Sequence, residues 1–440
     1  MAEPAASQER VLVIGGGWAG ISAAVELSRQ GVPVTLLEAA RQLGGRARCV
    51  AFDHQRVDNG QHLMVGAYTA MLRLLEEIGV TEEAAFLRQP LELHMRALRQ
   101  PELRLRARNL PAPFHLAMGL ATARGLSPRD RLQLMRFSRR LLANKIQLEQ
   151  DITVQALLLG ERQGVRVTRA LWEPLCLAAL NTGIAEASAL LFLEVLQRTF
   201  SGEASRSDLL IPRQDLGVLL PEPAMDYIER HRGRVELNRR IESLQIDAEG
   251  CQGVTWRSGH MAARKIILAA HPVMCRRLLS GHSALQSIAE QLGQLRQEPI
   301  TTIYLRYPDD VDLGSPMQGL QDGLGQWIFD RRIAGHPGLI AVVISGRGEH
   351  LQMDNPALGG HICMELARLH PDWPAPLAIR VLREKRATFA ACADVARLRP
   401  GPVTPVPGLF LAGDFTDTGL PATLEGAVIS GQRAAAAALS

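Results

Sequence analysis

Three glycines near the amino terminus have the spacing that suits a bound pyrophosphate. Gly15, Gly17 and Gly20 follow the apolar run Val11–Ile14 in the pattern G-x-G-x-x-G. Such glycines permit a tight turn, a close approach of phosphate to the backbone, and close packing of the next helix on the sheet. Glu38 ends the following apolar run, where a carboxylate accepts hydrogen bonds from ribose hydroxyls. The stretch therefore predicts a dinucleotide site whose adenosine lacks a 2′-phosphate.

A second ligand-facing turn is expected near the carboxyl terminus. Gly413 and Asp414 follow the apolar run LFLA, and a helix is predicted to start near residues 421–423. Asp414 would lie at the carboxyl end of a strand, where it is placed to bind polyol hydroxyls. A helix amino terminus beside a flavin ring would stabilise the negative charge of the reduced ring. Two helix ends directed at one ligand suit FAD, which combines a pyrophosphate with a charge-accepting ring.

Two further segments carry groups suited to the same ligand. Gly44 and Gly45 allow the backbone to run close to a bound group, and Arg46 is able to pair with a pyrophosphate. The sequence DNGQH, at residues 58–62, places amide groups between apolar flanks, where they would lie along a flat polar ring. We interpret His62 as a positioning residue, because an isolated histidine is more often structural than catalytic.

The strand signals are scattered along the chain, and this determines the predicted fold. Buried apolar runs resume at residues 266–268 and 409–412 after long intervening segments. The pattern predicts an α/β protein in which a Rossmann-like cofactor domain is interrupted by a mixed-sheet substrate domain and a helical layer. The predicted cofactor domain comprises residues 1–90, 205–275 and 396–440. The predicted substrate domain comprises residues 91–204 and 276–395.

Helices and strands are also predicted within the intervening segments. Residues 128–202 are expected to be mostly helical, and their many leucines are expected mainly in the core, although they would also suit an apolar tunnel. Strands are expected at ITTIYLRY, GQWIFD and GLIAVVISG, with helices at about 356–370 and 376–385. The run GLIAVVISGRGEHL does not form a second dinucleotide site, because Leu351 stands where the third glycine belongs.

Composition bounds the class of protein. The chain has 440 residues, of which 47% are hydrophobic, and this suits about two soluble domains. Without a spanning apolar window or a secretory signal, a cytoplasmic location is expected. Six widely spaced cysteines without a C-x-x-C pair favour neither disulfides nor a metal site. Of the 49 lysines and arginines only three are lysine, a bias that we attribute to codon composition, so nucleic-acid binding is not inferred.

Positive charge is concentrated in one segment. Residues 96–145 hold twelve basic side chains against Glu102 and Asp130, a local balance of +10 within a chain of net charge +4. The same segment contains LPAPFHLAMGLATA, which is too short to cross a bilayer but long enough to enter its surface. Two interpretations stay open, namely peripheral contact with an anionic membrane or a helical cap with solvated arginines.

Taken together, four motifs resemble a known superfamily. VIGGGWAG, LLEAARQLGGRAR, DNGQH and LAGDFTDTGLPATLEGAVISGQRAA resemble the flavin-dependent amine oxidases and phytoene desaturases. Within that superfamily, DNGQHLMVGAY, LNTGIAEASA and GDFTDTGLPATLEGA are similar to the bacterial hydroxysqualene dehydroxylases, also called squalene-associated FAD-dependent desaturases. The similarity covers both ends of the chain and the middle piecewise.

The resemblance implies a cofactor and a set of contacts. The cofactor would be FAD in an amine-oxidase type of domain, bound without a covalent link because the closing motif lacks a cysteine. The pyrophosphate would be bound by Gly15, Gly17, Trp18 and Ala19, the ribose by Glu38, with further contacts from Ala39, Gly45 and Arg46. The flavin would be bordered by Gly60, Gln61 and His62, the adenine by the backbone of Ile241, and the ribityl chain and ring by Asp414, Thr423, Leu424 and Glu425.

The resemblance also implies a reaction. It is the reductive removal of the hydroxyl group of hydroxysqualene to give squalene, on the way to hopanoids and related triterpenes. The substrate would be a hydrophobic isoprenoid, while the electron donor and the oligomeric state stay open. A water-bridged acid near the ring would protonate the departing hydroxyl, and Asp215 and His62 are the candidates.

Three other functions on the same fold stay open. A carotenoid-type desaturase would transfer hydride in the opposite direction, from hydrocarbon to flavin. An amine oxidase would usually have an aromatic cage and a lysine beside the flavin, but the closing motif has only Phe415, and Lys265 lies in the approach to a strand. A prenyl-lipid escort would carry its ligand without chemistry.

Overall fold

Residues 11–38 fold as their glycine pattern predicts. The computed structural model describes residues 10–97, 99–108 and 110–440, and in it strand β1 (Val11–Ile14), helix α1 (Trp18–Arg29) and strand β2 (Val34–Leu37) follow one another. Every residue of both strands is buried. Their side chains enter the core on both faces of the sheet, which explains why the two runs are apolar without alternation.

The remaining strands of the described residues range from two to twelve residues in length. They are β3 (Cys49–Phe52), β4 (Gln55–Asp58), β5 (Met64–Val65), β6 (Phe86–Gln89), β7 (Glu92–Ala97), β8 (Leu103–Arg106), β9 (Leu209–Pro212), β10 (Arg234–Glu236), β11 (Ile241–Asp247), β12 (Gly250–Trp256), β13 (Gly259–Ala262), β14 (Lys265–Leu268), β15 (Gln297–Arg306), β16 (Met317–Gln321), β17 (Trp327–Asp330), β18 (Leu339–Ser345), β19 (Ala378–Phe389) and β20 (Leu409–Leu411).

The helices that follow α1 are mostly short and lie between the strands. They are α2 (Thr69–Glu77), α3 (Glu82–Ala85), α4 (Phe114–Ala121), α5 (Pro128–Leu142), α6 (Val154–Gly160), α7 (Val165–Val167), α8 (Glu173–Leu180), α9 (Ala189–Phe200), α10 (Leu216–Leu219), α11 (Pro221–Arg230), α12 (Pro272–Leu279), α13 (Gln286–Gln294), α14 (Asn355–Leu369) and α15 (Leu424–Leu439). A π-helical turn, Thr168–Trp172, joins α7 to α8.

Five strands form a parallel sheet in the order β10–β2–β1–β14–β20. Val11 of β1 lies beside Val34 and Lys265, and Leu268 of β14 lies beside Leu411. Because parallel strands end at one edge of a sheet, the segments that follow β1, β2, β14 and β20 meet although they are far apart in sequence. All five strands fall within the ranges predicted for the cofactor domain.

The last helix of the chain, α15, packs against the first helix, α1, on one side of this sheet. Helix α15 packs along α1 so closely that a Cβ atom on Gly431 would lie 2.2 Å from the carbonyl oxygen of Ala19. The hydroxyl of Ser22 donates a hydrogen bond to the carbonyl of Val428 at 2.9 Å. Since only a residue without a side chain permits this approach, Gly431 joins the two ends of the chain.

A mixed sheet of seven strands forms the second part of the molecule. Its order is β19–β15–β18–β17–β16–β7–β8, in which β7 and β16 pair in parallel and the other neighbours are antiparallel. Helix α14 covers one face, and helices α4–α9 form a layer on the other. The seven strands fall within the ranges predicted for the substrate domain. The fold is thus a Rossmann-like cofactor domain interrupted by a mixed sheet and a helical layer.

The helix predicted at residues 376–385 is wrong. Most of these residues belong to β19, which pairs with β15 from Ala378 beside Arg306 to Phe389 beside Gln297. The segment is rich in arginine, lysine and glutamate, which favour helices in isolation. Pairing with β15 overrides that preference, and the charged side chains suit a strand at the edge of its sheet.

The helical layer is held together by aromatic packing. The rings of Phe137 and Trp172 lie 5.0 Å apart, and those of Trp172 and Phe192 lie 6.1 Å apart, both with edge-to-face geometry. The indole nitrogen of Trp172 donates to the side-chain oxygen of Gln163 at 3.0 Å. No helix of the described residues has both the length and the apolar character that crossing a bilayer requires.

Candidate cofactor and substrate site

A cavity of about 540 Å³ opens at the carboxyl edge of the parallel sheet. Its wall includes the last residues of β1 and β2, the residues that follow β14 and β20, and the first turns of α1 and α15. Fifteen of the sixteen residues expected to contact the cofactor line it: Gly15, Gly17, Trp18, Ala19, Glu38, Ala39, Gly45, Arg46, Gly60, Gln61, His62, Ile241, Asp414, Thr423 and Leu424. The structure therefore brings these predicted residues together from both ends and the middle of the chain.

The turn between β1 and α1 brings backbone segments too close for side chains at Gly15 and Gly20. Gly15 has a φ of +109°, and a Cβ atom on Gly20 would lie 1.9 Å from the Gly15 carbonyl oxygen. The amino terminus of α1 begins at Gly17, which has no side chain, and no side chain of the described residues caps the helix. The first N–H groups of α1 are therefore available to an anion bound in the cavity.

Glu38 stabilises that turn from the end of β2. Its Oε2 accepts a hydrogen bond from the backbone N–H of Gly16 at 2.6 Å, and its Oε1 accepts one from Ala40 at 2.7 Å. These bonds hold the carboxylate at the edge of the cavity. Each carboxylate oxygen accepts more than one hydrogen bond, so Glu38 keeps acceptor capacity for ribose hydroxyls.

Arg46 and Asp414 form an ion pair in the cavity wall. Arg46 Nη2 donates to Asp414 Oδ1 at 2.7 Å, and Arg46 Nη1 donates to the carbonyl oxygen of Ala387 at 2.7 Å. The sequence predicted a phosphate contact for Arg46 and hydroxyl contacts for Asp414. The structure shows that the two side chains also hold each other, which links the loop after the first turn to the ends of β19 and β20.

The DNGQH segment lies between β4 and β5. Gln61 Nε2 donates to the hydroxyl oxygen of Tyr304 at 2.5 Å, and that hydroxyl donates to the carbonyl oxygen of Asp58 at 2.8 Å. Tyr304 belongs to β15, so these bonds anchor the segment against the seven-stranded sheet. Gly60, Gln61 and His62 consequently line the cavity at the junction of the two parts of the molecule.

His62 is neutral at this position. Burial lowers the pKa of its imidazole to about 4, so the ring carries no charge at neutral pH. Its Nδ1 is buried and has no hydrogen-bond partner among the described residues. The ring is therefore able to orient a polar group in the cavity, but it is not a protonated general acid at neutral pH.

Thr423 begins the closing helix at the cavity. Its hydroxyl accepts a hydrogen bond from the backbone N–H of Gly426 at 3.0 Å. Glu425, the sixteenth expected contact, is not among the lining residues, because its buried carboxylate accepts from the backbone N–H groups of Ala70 at 2.9 Å and Met71 at 2.8 Å. Glu425 thus attaches the start of α2 to α15.

The structure does not bring Asp215 to the cavity. Its Oδ1 accepts from Arg331 Nη2 at 2.7 Å, and its Oδ2 lies 3.2 Å from His336 Nε2. The same Arg331 nitrogen lies 3.6 Å from Asp58 Oδ2. Burial raises the pKa of the Asp58 carboxyl to about 7, against the lowering effect of Arg331. Both oxygens of Asp215 are engaged, so it joins neighbouring segments instead of facing a ligand.

Several lining residues were not expected from the sequence. They include Tyr68, Asn181, His271, Ser345 and Thr388. His271 had a local signal, since it follows β14 directly and precedes Pro272 at the start of α12, whose Val273 N–H donates to His271 Nδ1 at 3.3 Å. The others come from α2, α8, β18 and β19 and its surroundings, and no local spacing in the sequence indicates that these elements converge.

The residues present fit FAD. Trp18 Nε1, His62 Nδ1 and His271 Nε2 are buried, belong to lining residues, and lack a hydrogen-bond partner among the described residues. Buried polar groups are normally paired, so these three nitrogens call for a polar ligand. Phosphates, hydroxyls and ring carbonyls of FAD are partners of that kind. Within the part of the chain that the structure describes, no cluster of three or more His, Cys, Asp or Glu is arranged to hold a metal ion.

The fold and the cavity define an FAD-dependent oxidoreductase. The family model for flavin containing amine oxidoreductases matches residues 18–439. The chain belongs to this family.

Curated relatives extend over nearly the whole chain. A hydroxysqualene dehydroxylase of Sinorhizobium fredii is 31% identical, over 98% of this chain and 99% of its own length. A hydroxysqualene dehydroxylase of Rhodopseudomonas palustris is 30% identical, over 97% of each chain. The resemblance stated from the motifs is confirmed by these relatives.

Solved structures agree on the fold. An oxidoreductase from Methanosarcina mazei superimposes with a TM-score of 0.75 at 16% identity, covering 96% of this chain and 98% of its own. A putrescine oxidase superimposes with a TM-score of 0.71 at 17% identity, covering 98% and 99%. At this level of identity the similarity confirms the fold class alone.

Proposed function

We propose that this protein reductively removes the hydroxyl group of hydroxysqualene to give squalene. The observation that carries the proposal is the similarity, at 30% identity or more and over almost the full length, to two relatives named hydroxysqualene dehydroxylase. Because the alignments include the cofactor sheet as well as the seven-stranded sheet and the helical layer, the substrate-binding half is compared along with the flavin-binding half.

The chemistry of the cavity wall supports an apolar substrate. The residues that line the cavity include Leu177, the neighbouring alanines of α8, and Ile300 of β15, all of which are apolar. A long hydrocarbon makes few polar contacts and is bound chiefly by removal of its apolar surface from water, at about 25 cal/mol per Å². The helical layer that contributes α8 is consistent with such a ligand.

The reaction requires both a hydride and a proton. Replacing the hydroxyl with hydrogen consumes one hydride and one proton and releases one water molecule. The hydroxyl of hydroxysqualene is allylic, so its departure leaves positive charge spread over the adjacent double bond. When bound, reduced FAD supplies the hydride. The tasks of the polypeptide are to hold the carbon skeleton, to exclude bulk water, and to guide a proton to the departing oxygen.

His62 is the residue that we assign to the departing hydroxyl. It lines the cavity beside Gln61, and its neutral ring offers a hydrogen bond to the hydroxyl or to a bridging water. The proton itself would arrive through water, because burial keeps the pKa of His62 at about 4. Asp215 would act indirectly, since Arg331 connects it to Asp58, four residues before His62.

The decisive experiment is an anaerobic reaction of the purified protein. The protein is mixed with chemically reduced FAD and hydroxysqualene, and the extracted hydrocarbon is identified by gas chromatography with mass spectrometry. We expect squalene with reduced flavin and no product with oxidised flavin or without protein. A more unsaturated product formed with oxidised flavin would indicate a desaturase. A colourless protein that binds the isoprenoid without turnover would indicate an escort.

Two variants separate the candidate residues. We expect His62→Gln to lower kcat on the order of a hundredfold while the protein keeps its flavin, since the proton-guiding group is altered. The matched variant Asp215→Asn should leave the cavity wall intact. Unchanged turnover in Asp215→Asn with full flavin content would remove Asp215 from the mechanism.

A further inference from the structure

Helices α4 and α5 present apolar side chains to solvent on the outside of the helical layer. Phe114 is 65% exposed and Met118 is 46% exposed on α4, while Leu132 is 68% exposed and Met135 is 39% exposed on α5. Each pair is spaced by four or three residues and so shares one side of its helix. Exposed apolar side chains grouped in this way mark an interaction surface. We call these four residues, together with Arg129, Arg136 and Arg139, the α4–α5 face.

The opposite sides of both helices are fixed to the core. Leu116 and Leu120 of α4 and Leu134 and Phe137 of α5 are buried in the same core cluster. Helix α4 lies so close to the end of β8 that a Cβ atom on Gly119 would be 2.8 Å from the carbonyl oxygen of Arg106. Because α4 and α5 also pack against each other, their outer sides are presented together on one support.

The charge around this face is strongly positive. Of the twelve basic residues between positions 96 and 145, eight form no ion pair with any described residue: Arg99, Arg108, Arg124, Arg129, Arg131, Arg136, Arg139 and Lys145. The carboxylate of Asp130 is occupied in the capping box of α5, where it accepts from the N–H and hydroxyl of Ser127. The free cations thus meet little opposing charge from their own segment.

Helix α5 carries apolar and positively charged side chains on the same exposed side. Leu132, Met135, Arg136 and Arg139 follow each other by three, one and three residues, which places them on one helical face. When such a helix lies at a membrane surface, the arginine side chains extend to the lipid phosphates and the neighbouring apolar side chains enter the acyl region. Helix α4 has eight residues and is therefore about 12 Å long, which suits a helix lying at a surface and not one crossing it.

We infer that the α4–α5 face docks on a bilayer surface that contains anionic phospholipid. Apolar side chains and unpaired cations on one support are the combination that interfacial binding to such lipid requires. A protein partner would have to match both the exposed Phe114 and several separate cations, whereas a fluid anionic surface meets them without a specific fit. This inference is independent of the proposed reaction, because its test contains no substrate.

The test is sedimentation of the purified flavin-bound protein with lipid vesicles. One set contains phosphatidylcholine alone, and the other contains phosphatidylcholine with phosphatidylglycerol. We expect binding to the anionic set only. Arg136→Gln combined with Arg139→Gln should lower the partition coefficient roughly 30-fold, because each surface cation contributes about 1 kcal/mol and 1.4 kcal/mol is a factor of ten. Raising the salt concentration should reduce the difference between this variant and the unaltered protein.

A second variant tests the apolar part. Phe114→Ser combined with Met118→Ser should lower the partition coefficient about tenfold at every salt concentration, since burial of these side chains in lipid is lost. The matched control is Met364→Ser with Arg257→Gln. Met364 is 56% exposed on α14, which packs on the other face of the seven-stranded sheet, and Arg257 is exposed in the turn between β12 and β13. The control protein should bind as the unaltered protein does.

Three results would overturn the inference. One is equal sedimentation with and without anionic lipid, and another is equal binding of the α4–α5 variants and the control. The third is a concentration-dependent dimer that the Phe114 and Met118 changes convert to monomer without any vesicle binding, which would make the face an interface between two copies of the chain. Unchanged thermal unfolding of all variants establishes that the exposed substitutions leave the fold intact.

Discussion

The two walls of the cavity are built in different ways. On the side of the parallel sheet, the wall rests on backbone packed at close approach behind it, as at Gly20 and Gly431, where a Cβ atom would lie 1.9 Å and 2.2 Å from a carbonyl oxygen. On the side of the helical layer, the wall is made of side chains from distant elements. There Asn181 Nδ2 donates to Thr388 Oγ1 at 2.9 Å, which connects α8 to β19. The cofactor side thus depends on glycines that lack side chains, whereas the side of the helical layer depends on specific side chains and their hydrogen bonds.

The difference matters for tolerance to substitution. A backbone wall has no alternative arrangement, because any added atom meets a main chain that is itself fixed by parallel strands. A side-chain wall loses individual hydrogen bonds but keeps its framework. We therefore expect substitutions on the cofactor side to remove flavin binding, and substitutions on the substrate side to weaken folding or turnover in steps.

The largest effect, on folding and flavin binding together, should follow from Gly20→Ala. The added methyl group would lie 1.9 Å from the Gly15 carbonyl oxygen, so α1 must move away from β1 and the phosphate turn is lost. We expect a loss of about 3 kcal/mol or more in the free energy of unfolding and a protein without visible flavin absorbance. Chemical denaturation and the ratio of visible to ultraviolet absorbance measure the two effects.

Gly360→Ala is the matched control for that change. Gly360 also lies within a helix, α14, and a Cβ atom there would meet nothing within 4 Å. Replacement should leave the flavin ratio unchanged and raise the free energy of unfolding by up to about 1 kcal/mol, because glycine is a poor helix former. Equal behaviour of the two variants would contradict the claim that close backbone approach forms the cofactor wall.

This contrast also explains what could be predicted from the sequence. Gly15, Gly17, Gly20 and Glu38 were predicted because a backbone-built site leaves a local pattern with fixed spacing. Asn181 belongs to no such pattern, and in the structure it ends α8 with a φ of +50°. Its position in the cavity depends on contacts with β18 and β19, and the pairing of β19 was itself missed because charged residues indicated a helix.

The next largest effect should follow from Arg331→Gln at the seam between the two parts. Arg331 is buried and lies near the carboxylates of both Asp215 and Asp58, so its replacement removes the guanidinium charge from two buried carboxylates. We expect a loss of about 3–5 kcal/mol in the free energy of unfolding. Arg332→Gln is the control, since the neighbouring side chain is 40% exposed and its ion pairs are 3.9 Å or longer.

The pH dependence of Arg331→Gln gives a further test. Burial raises the pKa of Asp58 to about 7, well above its value in an unfolded chain, so this group favours folding at low pH and its contribution is lost as the pH rises through 7. Without Arg331 the charged form is still less favourable. The deficit of the variant should therefore be larger at about pH 8 than at about pH 5. A deficit that shrinks with rising pH would contradict the assignment of Arg331 as the counter-charge.

A smaller and purely local effect is expected from Asn181→Ala on the side-chain wall. Its amide donates to the Pro299 carbonyl at 3.2 Å and to Thr388, and its oxygen accepts from the Gly346 N–H at 2.6 Å. Loss of these buried bonds should cost about 3 kcal/mol while flavin content is retained. Asn144→Ala controls for backbone conformation, because Asn144 has a φ of +51° but is exposed. A flavin-free Asn181→Ala protein would show that the two walls are not separable.

The smallest effect compares one kind of helix cap in the two parts of the molecule. Thr423 caps α15 at the cavity, where its hydroxyl accepts from Gly426 at 3.0 Å, and Thr153 caps α6 in the helical layer, where its hydroxyl accepts from Ala156 at 3.2 Å. Replacing either with valine removes the acceptor, and each change should cost about 1 kcal/mol in the free energy of unfolding.

Thr153 does not line the cavity, so its replacement should leave flavin affinity unchanged. Replacement of Thr423 should weaken flavin binding in addition, as measured by titration of the flavin-free protein, because the first turn of α15 faces the cavity. Equal flavin affinity in the two variants would mean that α15 supports the cofactor only through its packing on α1.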